Sequence, residues 1–169
     1  MPRNIKLILE YDGTNYHGWQ SQQGSGVPTI QDALEEALRK LTKENIKTVS
    51  SGRTDAGVHA LGHVANFPTE SRIPAAAWAP ALNRLLPADI RILSSEEVPP
   101  DFHARFSAIG KEYQYHVLLR PAPSALRRNH AWHIDRKLNL TAMRRAAAFL
   151  AGKHDFSAFR SADCSAATP

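Results

Sequence analysis

The chain has 169 residues, 43% of them hydrophobic, and a formal net charge of +5. No apolar run approaches the roughly 20 residues of a membrane span. One cysteine, Cys164, excludes a disulfide framework and a cysteine-rich zinc site. Met1-Pro2-Arg3-Asn4 leads directly into a strand pattern, so the sequence predicts no signal peptide, a cytoplasmic location and no membrane partner. The charge is unevenly placed: net −2 over residues 1–101 and net +7 over residues 102–169. A basic segment of this kind suits a polyanionic partner, or is simply a solvated basic face.

Ile5-Lys6-Leu7-Ile8-Leu9-Glu10-Tyr11 reads as a first strand, with Ile5, Leu7, Leu9 and Tyr11 on one face. Asp12-Gly13 ends it. The polar and aromatic stretch from Tyr16 to Gln23 is a loop, in which Trp19 either anchors the loop or offers a ring to a base. Thr29 and Asp32 form a capping box for a helix whose apolar face is Ile30, Ala33, Leu34, Ala37, Leu38 and Leu41. Gln31, Asp32, Glu35, Glu36, Arg39 and Lys40 take its other face. Ile46–Ser51 and His63–Phe67 read as strands. Pro74–Leu86 predicts a second helix, either starting near Trp78 with Pro80 in its first turn or kinked at Pro80. Asp89–Leu93 is the next strand.

This order, β-α-β-β-α-β, is that of a ferredoxin-like α+β unit with its helices on one face of a mostly antiparallel sheet. Residues 1–105 would form that unit and 106–169 the start of a second half. In the latter, the alternation of Tyr113, Tyr115, Val117 and Leu119 predicts an additional long strand from Phe106 to Leu119. A basic loop with Arg120, Arg127 and Arg128 follows. Asn139 caps a final helix with Leu140, Met143, Ala147 and Leu150 on one side, ended by Gly152.

Between the second and third strands lies Gly52-Arg53-Thr54-Asp55-Ala56-Gly57-Val58-His59-Ala60. Its two glycines can adopt backbone angles closed to other residues. One reading is a polar hairpin turn with Asp55 bonding its own backbone. The other is a reactive site: Arg53 offers Asp55 a counter-charge, and a carboxylate so held suits nucleophilic or electrostatic chemistry. A second participant would be a nearby phenol, and Tyr113 qualifies if its strand lies beside the turn. His59 and His63 have a zinc-like spacing only in a helix, and their flanks read as strand, so no metal is expected. Phe102-His103-Ala104-Arg105-Phe106 could grip RNA by stacking and phosphate contact, or be two core phenylalanines flanking a surface arginine.

The Gly52–Ala60 stretch resembles the active-site motif of the bacterial TruA-type tRNA pseudouridine synthases. Glu10-Tyr11-Asp12-Gly13 with Gly18-Trp19-Gln20, Phe102 to Ala108, Lys111-Glu112-Tyr113-Gln114-Tyr115 and His154 to Arg160 resemble that family in the same order. The resemblance implies isomerisation of uridine to pseudouridine in the anticodon stem-loop of tRNA, without metal or organic cofactor. It implies Asp55 as nucleophile, Arg53 as its partner at the flipped nucleotide, and Tyr113 packed on the target base. Phe102, His103, Ala104, Arg105 and Phe106 would contact RNA, with Arg120 following the phosphates. Asp163, Cys164, Ser165, Ala166 and Ala167 fall where the family contacts tRNA, although alanines stand where it often carries a basic residue. Family members continue into a second ferredoxin-like half and pair as homodimers. The chain is therefore expected to be the N-terminal part of a synthase. The alternative is a catalytically silent RNA-binding module or inactive fragment.

Overall fold

Strict alternation along the first strand sets the layers of the structure, a computed structural model that describes residues 2–22 and 26–159. Strand β1 (Arg3–Tyr11) turns Ile5, Leu7, Leu9 and Tyr11 inward, all buried. Each fully buried aliphatic side chain contributes about 1.5–3 kcal/mol relative to exposure. The other strands of this sheet are β2 (Val49–Ser50), β3 (Ala60–Thr69) and β4 (Ile90–Val98). The order is β2-β3-β1-β4 and every pairing is antiparallel. The register pairs Ile5 with Phe67, Leu7 with Ala65, and Leu9 with both His63 and Ile92. These side chains share one face because directly opposite residues do.

That face is covered by helices α1 (Ile30–Thr42) and α2 (Trp78–Asn83). Ile30, Leu34 and Leu38 of α1 and Trp78 and Leu82 of α2 join the strand residues in one core. The result is the expected ferredoxin-like α+β unit. Helix α1 starts where Thr29, in extended conformation, accepts the Asp32 N–H at 3.2 Å. The return half of the capping box differs. The Asp32 carboxylate takes the Thr29 hydroxyl, at 2.6 Å, and not its backbone N–H. Helix α2 begins at Trp78, with Pro80 in the first turn, where a missing N–H costs no intrahelical bond.

Two compact units divide the chain, Met1–Tyr113 and Gln114–Pro169. The second contains β5 (Val117–Leu119) paired in parallel with β6 (Trp132–Ile134), and α3 (Leu140–Ala148). Asn139 caps α3 by accepting the Ala142 N–H at 2.9 Å. The helix closes at Ala148, before Gly152.

Two strand expectations are corrected. The long strand from Phe106 to Leu119 is reduced to β5, and residues 106–116 have no regular structure. Alternation alone does not make a strand, because its N–H and C=O groups need a ladder partner. No strand among the described residues pairs with 106–115; at His116 the carbonyl already accepts the Trp132 N–H of β6, at 2.7 Å. The run Ile46–Ser51 is strand only at Val49–Ser50. Upstream, Thr48 is tied to a helix side chain instead: its N–H and hydroxyl both donate to Glu35 Oε1, at 2.9 and 3.1 Å. Glu35, expected on the solvent side of α1, is accordingly buried.

Candidate active site

The Gly52–Ala60 stretch is a loop joining β2 to β3. It is held mainly by main-chain bonds to the segment after β1. Trp19 N–H donates to Thr54 O at 3.0 Å and Gly57 N–H donates to Tyr16 O at 3.1 Å. Within the loop, Val58 N–H donates to Asp55 O at 3.2 Å. This reverse turn places Gly57 third, with φ +77°. Positive φ at that position favours glycine. The expectation for Gly52 is corrected, because Gly57 alone of the loop's glycines has positive φ. A Cβ on Gly52 would instead meet the Lys111 side chain.

Side chains complete the clamp. Tyr11 Oη and Thr54 Oγ1 are 2.9 Å apart. His59 Nδ1 lies 3.1 Å from the Gly13 nitrogen and 3.0 Å from an Asp12 carboxylate oxygen. Tyr16 donates its hydroxyl to Asp89 at 2.7 Å. Burial first, and then Asp89, push the Tyr16 phenol's pKa upward. Beneath the loop, Trp19 stacks on His63 with centroids 4.2 Å apart, and Tyr11 meets His63 edge-on at 5.7 Å. Trp19 is buried, so it anchors its loop and offers no ring to a base. His63 titrates near 4, because burial disfavours its cation and Lys111 adds a smaller repulsion. His59 and His63 therefore serve separate packing roles. A bulge where β3 leaves the loop, opposite Leu9–Tyr11, turns Leu61 out to solvent.

Arg53 and Asp55 project from this fixed backbone, both exposed. The ion pairs among the described residues do not include one between them. Both side chains are thus open to a ligand. Tyr113, 64% exposed, lies close enough to Tyr11 for its charge to disfavour ionisation of that phenol, after the larger effect of burial. Tyr113 therefore reaches the neighbourhood of the loop without being in a strand.

Phe102–Phe106 lies over the sheet face away from the helices. Asn4 Nδ2 donates to Phe102 O at 2.9 Å, and Ala104 N–H donates to Asn66 Oδ1 at 2.8 Å. His103 stacks on Phe106 at 4.3 Å, and Arg105 lies 5.8 Å from the same ring. Phe106 is exposed, so it is no core phenylalanine, whereas Ala104 is buried. Lys6 sits 5.8 Å from the Phe102 ring. In the second unit, the Arg120 guanidinium donates to Ala122 O and Pro123 O, at 2.7 and 2.9 Å. Asp163, Cys164, Ser165, Ala166 and Ala167 lie outside the described residues. Sequence reasoning missed Lys111 and His63 as neighbours of the loop. The available signal was the closeness of Lys111 in sequence to Tyr113.

The fold and loop together define the class: a ferredoxin-like unit presenting an exposed arginine and aspartate on a backbone-clamped loop beside its sheet. The tRNA pseudouridine synthase family model matches residues 7–107. The chain is 53% identical over 166 residues to tRNA pseudouridine synthase A of Acetivibrio thermocellus, covering 98% of this chain and 67% of that one. It is 51% identical over 160 residues to tRNA pseudouridine synthase A 2 of Clostridium tetani, covering 95% and 64%. The corresponding protein of Geobacter sulfurreducens is 51% identical over 166 residues, at 98% and 67% coverage. The chain belongs to the tRNA pseudouridine synthase family. It spans about two thirds of the length of these relatives.

Proposed function

We propose that the protein isomerises uridine to pseudouridine in the anticodon stem-loop of tRNA. The observation that carries this reading is the exposure of Asp55 on a loop whose backbone is fixed by the Thr54 and Gly57 bonds. Such a carboxylate is pre-positioned and unblocked, as a nucleophile needs. In the reaction the N1–C1′ bond breaks, the base turns, and C5 bonds to C1′ while its proton leaves; the product is an isomer of the substrate. Arg53 pairs with the bound nucleotide and Asp55, and Tyr113 packs on the base and is suited to receive the C5 proton. The target base must leave its stack, at a cost of a few kcal/mol. Phe106 and Arg105 are exposed and suited to offset it by stacking and phosphate contact. Arg120 and the 163–167 segment follow as further RNA contacts. The protein works in the cytoplasm as a homodimer, and the chemistry asks for no metal or organic cofactor.

Release of tritium from tRNA labelled at uridine C5 tests this reading with the full-length protein. Wild type releases label, and Asp55→Asn does not while retaining its fold and tRNA affinity. Turnover by Asp55→Asn would remove the nucleophile assignment.

A further inference from the structure

Lys111 lies against the loop that carries Asp55, and nothing in the reaction outlined above uses it. A Cβ built on Gly52 would stand 2.5 Å from Lys111 Nζ and 2.9 Å from its Cε. Real Cβ atoms do not come so close, so the missing side chain at Gly52 is what lets the ammonium rest at the start of the loop. The φ of Gly52 is not positive, so this glycine answers to space and not to backbone freedom.

The ammonium is also near enough to His63 to add, after the larger effect of burial, to the destabilisation of its cation. His63 is buried, its Nε2 has no hydrogen-bond partner, and its imidazole is neutral at physiological pH. It therefore supplies no counter-charge. Among the described residues, no carboxylate lies in ion-pair reach of Lys111 and no acceptor takes its N–H groups. Tyr113, two residues on, is near enough to Tyr11 to influence its phenol. A cation thus lies beside Gly52 of Asp55's loop, near a neutral ring, with no anion paired to it among the described residues.

We propose that Lys111 is a substrate-contacting residue, its ammonium taking a phosphodiester oxygen of the RNA strand next to the nucleotide presented to Asp55, with Gly52 keeping that ammonium in place. A lysine serves a phosphate as a compact point charge with three donors. The inference rests on the proposed uridine-isomerase reading of the site.

The test measures tRNA turnover and the salt dependence of tRNA binding on the full-length protein. Variants are Lys111→Met, Lys111→Arg, Gly52→Ala and Asp55→Asn. Lys111→Met should raise KM about 10-fold with kcat changed less than about twofold, and lower the slope of log affinity against log salt by about 1. Lys111→Arg should keep the wild-type slope. Gly52→Ala should weaken binding in the wild type but add little to Lys111→Met, because both remove the same contact. An unchanged KM and slope in Lys111→Met overturns the inference, as does full additivity with Gly52→Ala. Asp55→Asn separates the two claims. If it retains turnover while Lys111→Met loses slope, the nucleophile assignment fails and the phosphate contact stands. If it loses turnover while Lys111→Met is silent, the reverse holds.

Discussion

Gly18 and Thr54 meet backbone to backbone. Gly18 has φ +82°, and a Cβ on it would run into the Thr54 carbonyl oxygen, which also accepts the Trp19 N–H. Neither atom can yield without breaking the loop's attachment. Gly18→Ala should therefore lower stability by about 2–4 kcal/mol, from left-handed strain and overpacking together. Urea unfolding measures the loss. Because Asp55 follows Thr54, turnover per folded molecule should fall as well, which a mutation acting on stability alone would not cause.

Glu35 joins α1 to the chain entering β2. Its Oε1 accepts from Thr48 N–H, Thr48 Oγ1 and Gln31 Nε2, and its Oε2 from Lys47 Nζ at 2.8 Å. Glu35→Ala leaves the buried Thr48 N–H unsatisfied and should cost about 1–3 kcal/mol. Lys47→Ala removes an exposed partner and should cost less than about 1 kcal/mol. Comparing chemical denaturation of the two variants checks the asymmetry; equal losses would mean the ion pair matters more than the buried bonds.

His63 makes stability depend on pH. Its folded pKa of about 4 is below the ordinary value of 6.5. Above pH 6.5 the imidazole is neutral in both folded and unfolded chains and has no effect. Between 6.5 and about 4 the unfolded chain binds the proton first, so stability falls as pH falls. Tyr11 meets the ring edge-on and Lys111 is the cation that adds to the effect of burial. The full effect is about 3 kcal/mol by the linkage relation. His63→Phe should flatten the profile of unfolding free energy across that window. A profile as steep as wild type would assign the slope to carboxylates.

The Asn66 amide bridges Asn4 and the loop before Phe106: Nδ2 donates to Asn4 Oδ1 at 2.9 Å while Oδ1 accepts from Ala104. Asn66→Ala should cost about 1–3 kcal/mol by stranding the Ala104 N–H and the Asn4 carbonyl. It should also speed proteolytic cleavage between Pro99 and Ser107. Mass spectrometry of the fragments locates the cut; cleavage elsewhere first would show that the loop is held by other contacts.

The sheet and α1 were legible because their signals are local. The alternation of Ile5 to Tyr11 and the helical spacing of Ile30 to Leu38 each predicted a buried face that β1 and α1 display. The same alternation misled at Tyr113 and Tyr115, upstream of β5, where no described strand supplies the ladder. Within the site, the loop and Asp55 were visible as a motif, but the reasons for its glycines were not. Gly57 answers to backbone angle, Gly52 to the Lys111 side chain, and Gly13 and Gly18 to the carbonyls of Val58 and Thr54, far away in sequence. Steric demands from distant segments leave no periodic trace. Glu35 was misplaced for the same reason, since Lys47 and Thr48, two of its partners, lie beyond the end of its own helix.

The fastening of the Asp55 loop by main-chain bonds has a consequence for molecular recognition. Most of the entropy of ordering that segment is spent when the protein folds, so a partner docking there has only side chains such as Arg53 and Asp55 left to immobilise. Complexes at this surface should therefore form without a slow rearrangement step, at rates governed by encounter and charge.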